Sequence, residues 1–428
     1  MIVTHPDYTT ATLGGCPVAP SGAVPLDGPG FHTDPALLYT RMRSEHGPVV
    51  AVELIGGIPA WLVIGYRELH QVTTDGLLFP RDSSLWNQWP AIPPDWPLLP
   101  MVGRPQPGIY FTAGAAHARH VALVEPALES VDPFALRSAC EQLADGLIDR
   151  FCGRGHADVA TEFAELLPVL TLAWILGVPE SDGPYLAQTM QVLCDGGPEA
   201  PAAYQRFVEY MRQLLAQKKL APGQDLVSRM LADPEPFADE EYVLNMQSVT
   251  AAGHLPTADW IGNSIRLMLV DDRFAAAFGA ARHSIGQAMT EVLWEDTPTQ
   301  ILAGRWVARD TRLGEALVRR GDMVLLGLAA ANSDPHIRQY TGDGADPAHS
   351  GNAAHFAFSH GEYRCPYPAQ QIAEIIARTG IEVLLDRLPD LDLAVPAESL
   401  VRRPSPFLRG FTSLPVRFTP VPAVGGGS

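Results

Sequence analysis

The stretch 238–270 most constrains what this chain can fold into. It is long and mostly apolar, keeps a helical pattern, and is interrupted only by Gly253, Pro256 and Gly262. A helix that is apolar around most of its circumference must be covered on all sides. The stretch therefore predicts a buried central helix with other helices packed around it. Helical patterns at 136–152, 159–176, 204–217 and 368–388 supply the cover, and a further helix ends near Trp294. A shorter helix through Arg43 opens at Asp34-Pro35, with Asp34 as its cap. Strands are few. Residues 49–54 and 61–64 read as a pair joined through Gly56-Gly57, followed later by 304–308 and 322–328. The proline-rich segment 84–107 carries Trp86, Trp89 and Trp96. It reads as a substrate-contacting lid or as a packed surface loop.

Nothing divides the chain. Without repeats or a linker, residues 1–423 read as one mainly α domain, and 424–428 (VGGGS) as a flexible tail or linker scar. No run reaches the roughly 20 apolar residues of a membrane span. The first residues are polar and proline-containing where a signal peptide is apolar, so a cytoplasmic protein is expected. The formal net charge of −18 argues against nucleic acid as a partner, because it repels phosphate. Cys16, Cys140, Cys152, Cys194 and Cys365 show no CxxC spacing, so neither a zinc cluster nor an iron–sulfur site is suggested.

The most specific segment is Phe358-Ser359-His360-Gly361-Glu362-Tyr363-Arg364-Cys365, directly before a helix. A helix N-terminus favours a thiolate through its dipole and free N–H groups. A glycine ahead of the cysteine lets the loop pass close to a flat ligand. The plain alternative is a buried structural cysteine. The segment resembles the haem loop of the cytochrome P450 family, in which Phe, Gly and a basic residue precede the ligand Cys. Phe358, Gly361 and Cys365 match; Ser359 and Tyr367 stand where the family usually has Gly, and Tyr363 where it has His or Arg.

The resemblance continues in chain order. His117 and Arg119 fall in a segment similar to the family's propionate-binding helix, with Val121 where a second basic residue is usual. Arg305 and His355 resemble two further propionate partners, and 329–335 resembles the family's AANRDP segment. The resemblance implies a helical triangular prism with a small sheet region. It implies haem b as cofactor, Cys365 as iron ligand, and His117, Arg305, His355, Phe358 and Gly361 around the haem. For any single basic residue the ordinary alternative is a surface charge or a cap.

Two departures bear on chemistry. Where the family has Glu-x-x-Arg, this chain has Glu291-Val292-Leu293-Trp294, so Glu291 is expected to be neutral, solvated or paired elsewhere. Where the family has Ala-Gly-x-acid-Thr-Thr, it has Ala252-Gly253-His254-Leu255-Pro256-Thr257. Protons for oxygen cleavage must then come from water, His254, Thr257 or the substrate. His254 is more often a packed polar residue than a relay. The resemblance implies an oxidase of a small organic or peptide substrate, fed by ferredoxin and ferredoxin reductase. The alternatives are oxidative cross-linking of aromatic residues in a short peptide, a non-catalytic haem sensor, and, remotely, a helical protein without haem.

Overall fold

In the computed structural model, which describes residues 22–26, 31, 35–195, 198–271, 281–338 and 353–425, six helices frame the site. They are α1 Gly114–Glu129, α2 Pro133–Asp149, α3 Leu166–Leu176, α4 Asp239–Val270, α5 Ala281–Glu295 and α6 Tyr367–Arg387. Cys16 and the expected cap Asp34 lie outside the described residues. Helix α4 packs against α3, α5 and α6, as its apolar length requires. Its start is held by Glu241, whose carboxylate accepts from the Ala238 N–H at 2.7 Å. Asp239, Glu240 and Glu241 face the positive end of the helix dipole. Asp132 caps α2, and Gly177 ends α3 at φ 74°. Leu136, Phe163, Leu167, Ile261 and Ile376 fill the space between these helices.

Gly253, Pro256 and Gly262 interrupt the apolar pattern of α4 but not the helix. Pro256 removes only the bond to the Ala252 carbonyl, and the helix continues through it.

The main sheet consists of β1 Val24–Pro25, β2 Val49–Leu54, β3 Ile58–Val63, β4 Leu302–Trp306 and β5 Met323–Leu326, in the order β1-β2-β3-β5-β4. Ile55, Gly56 and Gly57 make the three-residue β2–β3 turn, with the two glycines at φ 84° and 72°. Strand β3 starts at Ile58 rather than Trp61. Pro59 fits in the strand because β3 pairs with β5 only from Trp61 to Val63, so no ladder bond is lost on that side.

The segment 84–107 is not a lid of tryptophans. Trp86 and Trp96 are buried in the cluster beneath the sheet, and Trp89 is half-buried. The Trp86 ring lies 5.2 Å from Trp89, 5.8 Å from Trp96 and 6.4 Å from Trp306. Trp96 Nε1 donates to the Ile55 carbonyl at 2.7 Å. The tail reading also needs correction. The N–H groups of Val424 and Gly425 donate to the Asp149 carboxylate at 3.0 and 2.9 Å; residues 426–428 lie outside the described residues. Among the described residues no helix is long and apolar enough to cross a membrane.

Asn332 ties the helical half to the cysteine segment. Its Nδ2 donates to the Leu293 carbonyl and to Thr297 Oγ1, both at 3.0 Å, and its Oδ1 accepts from the Phe356 N–H at 2.7 Å. All of this is buried. Asn332→Ala leaves those groups without partners and should cost about 2–4 kcal/mol of stability, read by urea denaturation; a loss within about 0.5 kcal/mol would refute this anchoring role.

Candidate functional site

The cysteine segment is a tight loop closed by its own backbone. Ser359 N–H donates to the Phe356 carbonyl at 2.7 Å, Arg364 N–H to Gly361 at 3.2 Å, and Cys365 N–H to Phe358 at 2.9 Å. Gly361 sits at φ 73° against the Thr73 carbonyl, where no Cβ fits. Ser359 holds φ 60°, and among the described residues no other non-glycine residue has a positive φ. The glycine expected there by resemblance is thus a conformational requirement that serine meets under strain. Helix α6 begins two residues after Cys365, and Gln370 Nε2 donates to the Cys365 carbonyl at 2.7 Å. Cys365 keeps part of its surface accessible, yet burial of the sulfur pushes its thiol up to about 12, against the pull of Arg81 and Arg364. A thiolate there needs a stronger cation close by.

Beside the loop stand two buried arginines. Arg305, on β4, is 1% exposed, and none of its three guanidinium nitrogens has a hydrogen-bond partner. Among the described residues, the Arg81 side chain donates to the Tyr363 carbonyl at 3.2 Å. The guanidinium carbon of Arg305 sits 4.0 Å from the centre of the Tyr363 ring. That of Arg81 sits 5.4 Å from the same ring and 4.7 Å from Tyr110. Among the described residues neither arginine has a carboxylate at ion-pair distance. Burial lowers the pKa of both, and for Arg305 the charge of Arg81 adds to it. Backbone bonding brings them together: Trp306 N–H donates to Pro80 and Ala308 N–H to Leu78.

His117 and His355 complete the surround. His117 Nδ1 lies 3.0 Å from the Ile109 carbonyl and its ring 4.7 Å from Tyr363. Burial, then Arg81, pushes it down to about 4. His355 is pushed down to about 4 by burial, its Nδ1 has no partner, and its ring meets Trp294 edge-on at 5.7 Å. The Tyr363 hydroxyl is also buried without a partner. Two cations without a counter-ion and the neutral His117 around the Tyr363 ring, in the loop that carries the buried Cys365 thiol and meets His355 through Phe358, fit a flat dianion carrying a metal ion, such as haem. Its carboxylates would meet Arg81 and Arg305.

The structure brings together His117, Arg305, His355, Gly361 and Cys365. The ring of Phe358 lies 6.1 Å from His355 and 5.8 Å from Trp260 of α4. Arg119 does not join them. It turns outward over the Phe237 ring and bonds Glu235 at 2.5 Å and Glu241 at 2.6 Å, because residues two apart on a helix face different ways. On α4, Ala251 and Ala252 are exposed, Leu255 and Pro256 are half-buried, and Thr257 is buried. His254 is buried with its Nε2 2.9 Å from the Glu165 carbonyl at the start of α3, and burial pushes it down to about 4. Glu291 is half-buried while Trp294 is 2% exposed. Sequence reading missed Arg81; an arginine between Pro80 and Asp82 in a turn-rich stretch gives no periodic signal.

No family model matches the chain. Curated proteins match nearly its whole length. Cytochrome P450 107B1 of Saccharopolyspora erythraea is 31% identical over 388 residues, covering 89% of this chain and 94% of the relative. Cytochrome P450 monooxygenase PikC of Streptomyces venezuelae is 29% identical over 424 residues, covering 95% of this chain and 96% of the relative. Among solved structures, CYP154C4 from a Streptomyces species has a TM-score of 0.83 at 27% identity, covering 93% of this chain and 98% of that one.

The strained serine gives a measurable expectation. Ser359→Gly should stabilise the protein by about 1 kcal/mol, because glycine removes most of the cost of the left-handed conformation. Chemical denaturation of the holoprotein reads this, and a destabilised variant would contradict it.

Proposed function

The chain belongs to the cytochrome P450 family and is a haem b enzyme; from that premise we propose that it inserts oxygen into a small organic substrate of secondary metabolism, with Cys365 as the iron's protein ligand. The single observation that carries the residue assignment is a pair of buried arginines beside the cysteine loop, Arg81 and Arg305, neither with a carboxylate at ion-pair distance among the described residues and the latter with no hydrogen-bond partner. Haem held by a thiolate supplies the activation of dioxygen.

The chain's own residues hold that group. Arg81 and Arg305 would take its two carboxylates in charge-assisted hydrogen bonds, with both guanidinium groups resting against the Tyr363 ring. His117 and His355, kept neutral by burial, offer ring nitrogens without adding positive charge. Gly361 lets the loop approach Thr73, and Phe358 shields the sulfur side. Ferredoxin and ferredoxin reductase are the proposed electron donors. The outer side of the loop exposes His360, Arg364 and Tyr367, a mixed surface suited to a small acidic protein.

Oxidative aryl coupling is the second reading. Leu255 and Pro256 favour it, because neither side chain carries a proton for oxygen cleavage. The burial of Trp86 and Trp96 removes the aromatic wall that a peptide substrate would have met. The deciding experiment is product mass from reduced ferredoxin, dioxygen and a panel of small molecules and aromatic peptides. A gain of one oxygen supports insertion, and a loss of two hydrogens overturns it in favour of coupling.

Two variants test the residue assignments. Cys365→Ser should abolish the red-shifted Soret band of the reduced carbon monoxide form; an unchanged band refutes the ligand. Arg81→Ala should speed haem loss to a scavenging apoprotein by about tenfold or more, as expected for one charged hydrogen bond. An unchanged rate would mean that Arg81 does not hold the group.

A further inference from the structure

Beyond its first turn, helix α4 carries a single acid, Asp259. Asp259 lies four residues beyond Leu255 and three beyond Pro256, on the same stripe of the helix. It is 4% exposed, and its Oδ2 has no hydrogen-bond partner. Its Oδ1 lies 3.5 Å from Arg403 Nη2, but that nitrogen already donates to Glu165 Oε1 at 2.9 Å. Asp259, Glu165 and Arg403 line one cavity, where Ala160, Ala164 and Gly262 leave room for about one water. The backbone of Gly410 closes against the Asp259 carboxyl so tightly that no Cβ fits there.

We propose that Asp259 is a proton-relay residue of this enzyme, passing protons through water in the Glu165–Arg403 cavity towards the site along the stripe that Leu255 and Pro256 leave without an acid. The proposal rests on the oxygen-insertion reading above. In each passage the O–H bond of the Asp259 carboxylic acid breaks as a cavity water takes the proton. Arg403 stabilises the carboxylate left behind, and the next proton arriving on the cavity water from the solvent side re-forms the O–H bond. One proton enters, one leaves, and no electron moves.

A neighbouring acid shows what a purely structural carboxylate looks like here. Asp296 is clamped by Arg402 at 2.7 Å and by Arg409, and its carboxyl is held below the usual range although burial opposes it. Asp259 goes the other way. Burial pushes it up to about 7 against the pull of Arg403 and Arg402, and the charge of Glu165 adds to the rise. The groups facing it are accounted for: Arg403 is shared with Glu165, Arg402 is committed to Asp296, and His254 of its own helix meets the Glu165 carbonyl. An acid poised near neutrality, with one oxygen free to bond water, suits proton exchange rather than pairing.

The test uses the holoprotein and its Asp259→Asn and Asp259→Glu variants. Infrared difference spectra should show a protonated carboxyl band that disappears with a midpoint near pH 7. The Asn variant should lack that band. Its absence from the wild type, or its survival in Asp259→Asn, overturns the proposal. A raised folded-state pKa means that Asp259 withdraws stability as pH climbs from the unfolded carboxyl's value of 3.8 to about 7. The stability gap between the Asn variant and the wild type should therefore widen across that window and level off above it; a constant gap counts against the assignment. Finally, Asp259→Asn should raise the share of electrons released as peroxide several-fold, and Asp259→Glu should restore much of the coupling. An unchanged share in protein with a normal carbon monoxide spectrum overturns the relay. Loss of that spectrum in the wild type would instead sink the functional reading, while the infrared titration would still report on Asp259.

Discussion

Two like charges buried side by side without a counter-ion are the constraint on which this structure turns. Arg81 and Arg305 share the face of Tyr363, and neither has a carboxylate at ion-pair distance among the described residues. Guanidinium groups stay protonated, so the protein alone holds an electrostatic cost at its centre. The fold is arranged to keep that cost in place. Backbone bonds from 78–80 to the end of β4 fix one arginine beside the other. On the proposed reading their balance comes from the two carboxylates of haem b, the cofactor of the family to which the chain belongs. Folding and cofactor binding are thus linked through the same two side chains.

Much of this was legible in the sequence. The central helix, its neighbours and the cysteine loop follow from periodicity and from a few residues in chain order. Where the reading failed, tertiary packing or geometry explains it. Arg119 was placed with His117 because the two are close in sequence, but positions two apart diverge around a helix. The tryptophans of 84–107 looked available because a proline-rich loop carries no burial signal. The sheet beneath them supplied the apolar partner. Arg81 could not be seen because its place depends on contacts with residues more than two hundred positions away.

The departures from the family pattern are local exchanges of one kind of interaction for another. Ser359 adopts a glycine's conformation, Tyr363 replaces a base with a ring that binds bases, and Tyr367 leaves the pocket for solvent at 61% exposure. Asp259 sits a turn away from the acid position that Leu255 vacates. Such exchanges keep the outline of the site while changing which groups titrate within it.

The contact of Trp294 with His355 has a physical corollary for the working conditions of the enzyme. A ring packed edge-on against a neutral imidazole is held by dispersion and burial, whereas a buried ion pair is held by charge. Dispersion is not screened by dissolved ions. The loop that carries the sulfur is therefore secured by forces that do not respond to ionic strength, and high salt should leave its seating unchanged.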